Sequence, residues 1–319
     1  MRRGIILLSG HRLDLDRWAV VYLIVSGLYP LLNPGVVAHP YWRLAAHWTL
    51  ALVFWFVPPL LRRSRHAVLR LVGDIYLPFA FPLFYMEMEF LGIVFHGFHD
   101  SFDPWLIALE GRIFGLQPSL AWSVAWPWPW YHELMEFAYF TYYLFSPAVL
   151  LMLFLCRGLA DGERWPAVRG FVRDLSATML LCYTIYTFFP AWGPKYFTTR
   201  PIDVPGWIFT HIMHVIHANG AILGAAFPSS HVAGSMMGWW HVWRWFPRYR
   251  LAATTLWVLL CAATVYCRYH YVVDVLGGLM LGALVIWLGH NFGETGQRFR
   301  WQKLKTWRGL DQLRERARS

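Results

Sequence analysis

Residues 251–290 read LAATTLWVLLCAATVYCRYHYVVDVLGGLMLGALVIWLGH: two apolar runs parted by Arg268, Tyr269 and His270, with one further charge at Asp274. Crossing a hydrocarbon core about 30 Å thick takes about 20 helical residues at 1.5 Å each. A helix that is apolar all round belongs in lipid or deep in a protein, so the stretch reads as two membrane helices joined by a tight polar turn. Working outward, similar runs lie at about 18–37, 44–61, 71–97, 133–156, 172–190 and 224–243, which with 251–267 and 270–290 makes eight candidate spans. The expected fold class is an all-α integral membrane protein.

Composition agrees. Of 319 residues, 57% are hydrophobic and 14% charged, against about 25% charged in soluble domains. Twenty Trp, 16 Tyr and 23 Phe exceed the needs of a soluble core and suit the headgroup level of a bilayer. A net charge of +10 raises nucleic acid as a partner. The charges fall in short runs between apolar stretches, with no compact basic module, so topology explains them and no nucleic-acid partner is expected. Cys156, Cys182, Cys261 and Cys267 show no paired or metal-type spacing and are expected to be free. The N-terminus carries arginines but no small-residue cleavage site, and reads as a retained anchor.

The loops orient the chain. With the N-terminus in the cytoplasm, 23 of the 28 basic residues fall on the cytoplasmic side, and Arg43, Arg112, Lys195, Arg200 and Arg268 lie opposite. Both termini are therefore expected inside. Two outer segments are long. In the first, 98–131, Leu106, Leu109, Ile113 and Phe114 have helical spacing, and Asp103, Glu110 and Arg112 lie elsewhere on the turn, as in a surface helix with a solvated acidic face. The second, 191–223, is rich in Pro, Gly and His.

Four short stretches share that outer side: Gly193-Pro194-Lys195, Thr199-Arg200-Pro201, Phe227-Pro228-Ser229-Ser230-His231 and Arg268-Tyr269-His270-Tyr271-Val272-Val273-Asp274. A phosphate ester needs donors for its oxygens, a nucleophile, a group to orient it and an acid for the leaving oxygen. Lys195, Arg200, Ser229, Ser230 and Arg268 supply the donors. His270 and Asp274 are four apart, on one helical face, so the carboxylate can orient the ring and leave its other nitrogen outward as nucleophile. His231 opens the sixth span and is placed to protonate a leaving alkoxide.

These motifs resemble those of the phosphatidic acid phosphatase type 2 superfamily, with its Lys…Arg-Pro, Pro-Ser-x-His and Arg…His-x-x-x-Asp patterns. The resemblance implies a phosphohistidine at His270, oriented by Asp274, with His231 as general acid and Lys195, Arg200, Ser229, Ser230 and Arg268 on the phosphate. It covers roughly 71–292 as a six-helix catalytic core, with 1–70 a two-helix extension and 293–319 a basic cytoplasmic tail. The short His-Tyr-x-Val-Asp form, the surface helix and Phe-Pro-Ala-Trp-Gly-Pro look closer to the inositol phosphorylceramide synthase and sphingomyelin synthase branch and its bacterial relatives. The implied substrate is a phospholipid, polyprenyl phosphate or sphingolipid in the bilayer of a plasma or bacterial inner membrane. Hydrolysis and transfer to a lipid or polyol hydroxyl both remain open, as does a non-catalytic transporter or scaffold. No cofactor and no metal are expected.

Other polar residues admit more than one reading. His211, His214 and His217 recur every three residues and read as an interfacial helix, a substrate contact or a metal site with no carboxylate or Cys to complete it. Glu87 and Glu89, at the outer level of the third span, are candidate substrate or acceptor contacts, or partners of an outer cation such as Arg112.

Overall fold

The computed structural model describes residues 15–32, 34–35, 37–96, 101–155, 161–199 and 204–292. Twelve α-helices account for most of them: α1 (Leu15–Leu28), α2 (Pro40–Arg63), α3 (Ala67–His96), α4 (Asp103–Phe114), α5 (Pro118–Ala125), α6 (Pro129–Leu155), α7 (Asp161–Phe188), α8 (Pro194–Phe197), α9 (Ile208–Gly220), α10 (Ser230–Trp245), α11 (Arg250–Tyr266) and α12 (Val272–Phe292). Among the described residues the only β-pairing is a single bridge between Ala191 and Ala225.

Each expected span falls on a helix: α1, α2, α3, α6, α7, α10, α11 and α12. Among the described residues five stretches are long and apolar enough to cross a bilayer, namely Pro40–Arg63, Ala67–Met88, Pro129–Leu155, Pro247–Tyr266 and Val272–Asn291. Of the other three, α1 has 14 residues and α10 has 16. The third, α7, is long but carries Asp161, Glu163, Arg164, Arg169, Arg173 and Asp174 in its first half. Two boundaries move inward from the sequence reading. The first span ends at Leu28 in a 3-10 turn containing Pro30. The sixth starts at Ser230 and not near 224, because Pro228 has no N–H to offer and Ser229 caps the helix by accepting from Val232 N at 3.4 Å.

The helix α7 is the hub, packing on α1, α3, α6, α10 and α12. Its Phe171, Met179, Tyr183 and Tyr186 are buried in one core with Leu77, Phe81, Phe84 and Met237. The helices α10 and α12 come close where α12 has glycines: a Cβ on Gly278 would lie 2.6 Å from the Ser229 carbonyl. Pro58, Pro59, Pro78, Pro82, Pro147 and Pro166 lie within helices, as neighbouring helices in a membrane allow. At the arginine-rich end Arg62 pairs with Asp16 and, at 3.2 Å, with Asp74, which also meets Arg169 at 3.1 Å. Cys182, Cys261 and Cys267 are free; Cys156 lies outside the described residues.

Candidate active site

The starts of α10 and α12 build the site. The chain leaves α11 at Tyr266 and turns sharply, with Arg268 in the left-handed region at φ 60°. The N–H groups of both Tyr269 and His270 return to the Thr264 carbonyl at 3.0 Å. The new helix then needs acceptors for its first N–H groups. Asp274 Oδ2 takes Tyr271 N at 2.8 Å, and Glu110 Oε1 of α4 takes Val272 N at 2.6 Å and Val273 N at 3.3 Å. Ser229 N bonds to the Asp274 carbonyl at 2.9 Å, which ties the two helix starts together.

Three rings form a chain across this junction. His270 Nδ1 lies 3.0 Å from the Ala226 carbonyl and 3.4 Å from Asp274 Oδ2. A carbonyl and an ionised carboxylate only accept, so the proton of neutral His270 sits on Nδ1, and Nε2 carries a lone pair. That Nε2 faces His231 Nδ1 at 3.1 Å. His231 therefore holds its proton on Nδ1, and its Nε2 accepts from the Tyr139 hydroxyl at 2.9 Å. Tyr139 and Tyr142 of α6 lie tilted beside the His231 ring at centroid distances of 4.8 and 4.3 Å. Tyr186 of α7 braces the loop below, donating to the Pro228 carbonyl at 2.9 Å and accepting from Ser230 N at 3.2 Å.

The loop after α7 brings the cations. Gly193 has φ 102°, and a Cβ there would lie 2.6 Å from the Tyr269 carbonyl, so only glycine lets the two turns meet. Asp103 of α4 accepts from Trp192 N at 2.7 Å, Gly193 N at 2.8 Å and the Tyr271 hydroxyl at 2.9 Å. Lys195 N then bonds to the Arg268 carbonyl at 3.0 Å, and Arg268 donates to the Thr198 carbonyl at 2.8 Å. Lys195 Nζ donates to His217 Nδ1 at 3.1 Å and lies 5.2 Å from the Tyr269 ring centroid. Burial, then the charge on Lys195, pushes the His217 pKa down to about 3, so the ring is a neutral acceptor. Burial also lowers the pKa of Lys195 itself.

A known family covers the stretch of chain that carries these histidines. The PAP2 superfamily pattern matches residues 104–288, more than half of the chain. The chain belongs to the PAP2 superfamily. That superfamily includes membrane lipid phosphatases and phosphotransferases. The chain is 24% identical over 168 residues, 46% of its length, to a PA-phosphatase related-family protein of Dictyostelium discoideum. It is 30% identical over 89 residues, 27% of its length, to the inositol phosphorylceramide synthase catalytic subunit aur1 of Schizosaccharomyces pombe. The matched stretches span 30% and 21% of those two proteins. No solved structure matches significantly.

His231, His270, Asp274, Lys195, Ser230 and Arg268 come together at the two turns. Ser229 is buried and its hydroxyl caps α10, so Ser230 is the serine that lines the cavity beside His231. Arg200 lies outside the described residues, and Glu89 falls within α3, its side chain outside the description. Glu87 pairs with Arg43 at 3.4 Å and His47 at 3.5 Å of α2, and not with Arg112; it does not line the cavity. His211 and His214 are exposed on α9, and it is His217 that turns into the site. The helix α9 is itself fixed by Glu133 of α6, which accepts from Trp207 N at 2.8 Å and Phe209 N at 2.5 Å.

The surface-helix reading of α4 needs one correction. Asp103 and Glu110 were expected on a solvated face, yet both are fully buried, while Ile113 and Phe114 are exposed. The acidic face turns inward because the loop at 192–193 and the start of α12 offer N–H groups that only α4 satisfies. Sequence reasoning passed over Tyr139, Tyr186 and Glu136, whose carboxylate accepts from the Tyr269 hydroxyl at 3.1 and 3.2 Å.

Proposed function

We propose that this PAP2 enzyme transfers a phosphoryl or phospho-headgroup of a membrane lipid through a covalent intermediate on His270. The observation that carries the reading is the 3.1 Å approach of His231 Nδ1 to His270 Nε2, with His270 Nδ1 held by Ala226 and Asp274. A phosphate entering between the rings meets a lone pair on one side and a proton on the other. His270 Nε2 forms the N–P bond, the P–O bond to the leaving group breaks, and that oxygen takes the Nδ1 proton of His231, which has gained a second proton on Nε2 with the anionic phosphate bound and so ends as a neutral ring. In the second half an acceptor O–H gives its proton back to His231 as the oxygen attacks phosphorus and the N–P electron pair returns to Nε2. Lys195, Arg200, Arg268 and Ser230 carry the phosphate charge.

The acceptor decides between transfer and hydrolysis. The His-Tyr-x-Val-Asp form and the synthase relative favour transfer to a lipid or polyol hydroxyl; the PA-phosphatase relative favours water. We favour transfer. The site faces the extracytoplasmic side, as the distribution of 23 basic residues against 5 supports. Residues 71–292 form the catalytic core, with 1–70 an added two-helix unit and 293–319 a cytoplasmic tail.

Purified protein given a labelled lipid phosphodiester should pass label to an added lipid or polyol hydroxyl faster than it releases free phosphate. Inorganic phosphate as the sole product, from phosphomonoesters alone, would replace transfer by hydrolysis. For orientation, Asn219→Cys at the exposed end of α9 should react with an impermeant thiol reagent on intact cells. Labelling only after permeabilisation would reverse the assignment of sides.

A further inference from the structure

A cavity of about 920 Å³ opens from His231 and His270 and continues far beyond them. Its upper end is polar, with Lys195, His217 and Tyr269. Below that it runs between α3 and α6 with α7 behind, and its lining is apolar. On α3 the lining extends from Tyr85 to Leu71, and on α6 from Tyr139 to Phe154. Those separations correspond to about 21 and 22 Å at 1.5 Å per residue, most of a hydrocarbon core of about 30 Å. Phe79 and Leu151 at its rim are 71% and 57% exposed, so it opens sideways at the depth of the lipid chains.

We propose that this cavity holds one hydrocarbon chain of the lipid whose phosphate reacts at His270, and that its floor at Leu71, Phe154 and Phe171 sets a preference for chain length. The proposal rests on the reading of His270 as the nucleophile. Continuity with the two histidines is what identifies the occupant: a headgroup at the polar end leaves its chain directed down the apolar shaft. Water is a poor occupant, because a buried water needs two to four polar partners. A helix is too thick, since 21 Å of helix at 10 Å diameter needs roughly 1,650 Å³. A single chain is slim, apolar and already present at that depth.

Two measurements on the full-length protein in nanodiscs test this. First, a phosphatidic acid with a diazirine near the end of one acyl chain is photolysed with His270→Ala protein, and adducts are mapped by peptide mass spectrometry. They should fall on the lining of α3, α6 and α7 and be competed by dioleoyl phosphatidic acid. Adducts spread over outward residues such as Leu52, Leu251 and Met280, without competition, would overturn the proposal. Second, Leu150→Trp, which fills the shaft midway, should lower kcat/KM for dioleoyl relative to dioctanoyl phosphatidic acid by about tenfold or more. Leu144→Trp, on the exposed face of the same helix, should leave the ratio unchanged. An equal loss for both lipids in a folded Leu150→Trp protein also contradicts the proposal, and if that variant does not fold the cross-linking result decides. Localised, competed adducts with no turnover of either lipid or of the labelled phosphodiester would leave the chain site standing and remove the phosphoryl-transfer reading instead.

Discussion

At one end of the helix bundle Asp16 and Asp74 pair with Arg62 and Arg169; at the other, Asp103, Glu110 and Glu133 accept hydrogen bonds from backbone N–H groups. Both ends place carboxylates under cover; the first spends them on arginines, and at the second, apart from the Arg43–Glu87 pair, these three go to the backbone. At the second end the carboxylates hold loops and helix starts in place, while Lys195 faces a neutral imidazole and aromatic rings. On the proposed reading, the charge of Lys195 is thereby left for an anion beside the histidines. A helix start supplies N–H donors, and a carboxylate that satisfies some of them fixes the remainder in direction.

The largest expected effect comes from breaking the reactive end. His270→Ala should lower turnover by about 10⁴-fold or more with the fold intact, and Asp274→Asn should leave a measurable remainder because the ring keeps its Ala226 contact. Steady-state turnover beside a thermal-unfolding scan separates the two causes. Next, Tyr139→Phe removes the hydroxyl that fixes the tautomer of His231, and kcat should fall by about 10-fold to 100-fold with little change in KM. An unchanged kcat would show that His231 is oriented by its other contacts.

Asp103→Ala sharpens the contrast between the ends. It orphans two backbone N–H groups and the Tyr271 hydroxyl, each costing about 1–3 kcal/mol if left dry, and it should lower activity and stability together. Arg62→Ala at the opposite end should instead cost only about 1 kcal/mol, since that guanidinium is a third exposed, and leave kcat within about twofold. Equal activity losses in both variants would erase the distinction.

The two ends also differ in how plainly the sequence announces them. The spans are legible because lipid demands long apolar runs, and the positions of His231, His270 and Asp274 follow from residue type and i, i+4 spacing. The role of α4 is not legible. Asp103 and Glu110 have the spacing of a solvated face, and nothing local says that the N–H groups of residues 192–193 and 272–273 will come to meet them. Likewise Tyr139 lies within an aromatic run of α6, where period alone cannot single out the ring that faces His231. His217 shares its three-residue repeat with His211 and His214, and only the packing of α9 on α6 selects it.

The smallest effect concerns Glu110. Burial raises its pKa to about 7, against the bonds from Val272 and Val273, and the Asp274 charge adds to the rise. The folded protein thus holds a proton that the unfolded chain releases near 4.5, so stability falls as pH rises from about 4.5 to about 7 and levels off above. Glu110→Gln should remove that slope. A wild-type slope that survives the substitution would place its origin elsewhere.

The central claim, that phosphorus is carried on His270, is tested most directly by rapid quench. Protein mixed with lipid bearing a radiolabelled phosphate should yield an acid-labile, alkali-stable label within one turnover, on the peptide containing residue 270. Full turnover with no protein-bound label, or with label on another residue, would contradict the account.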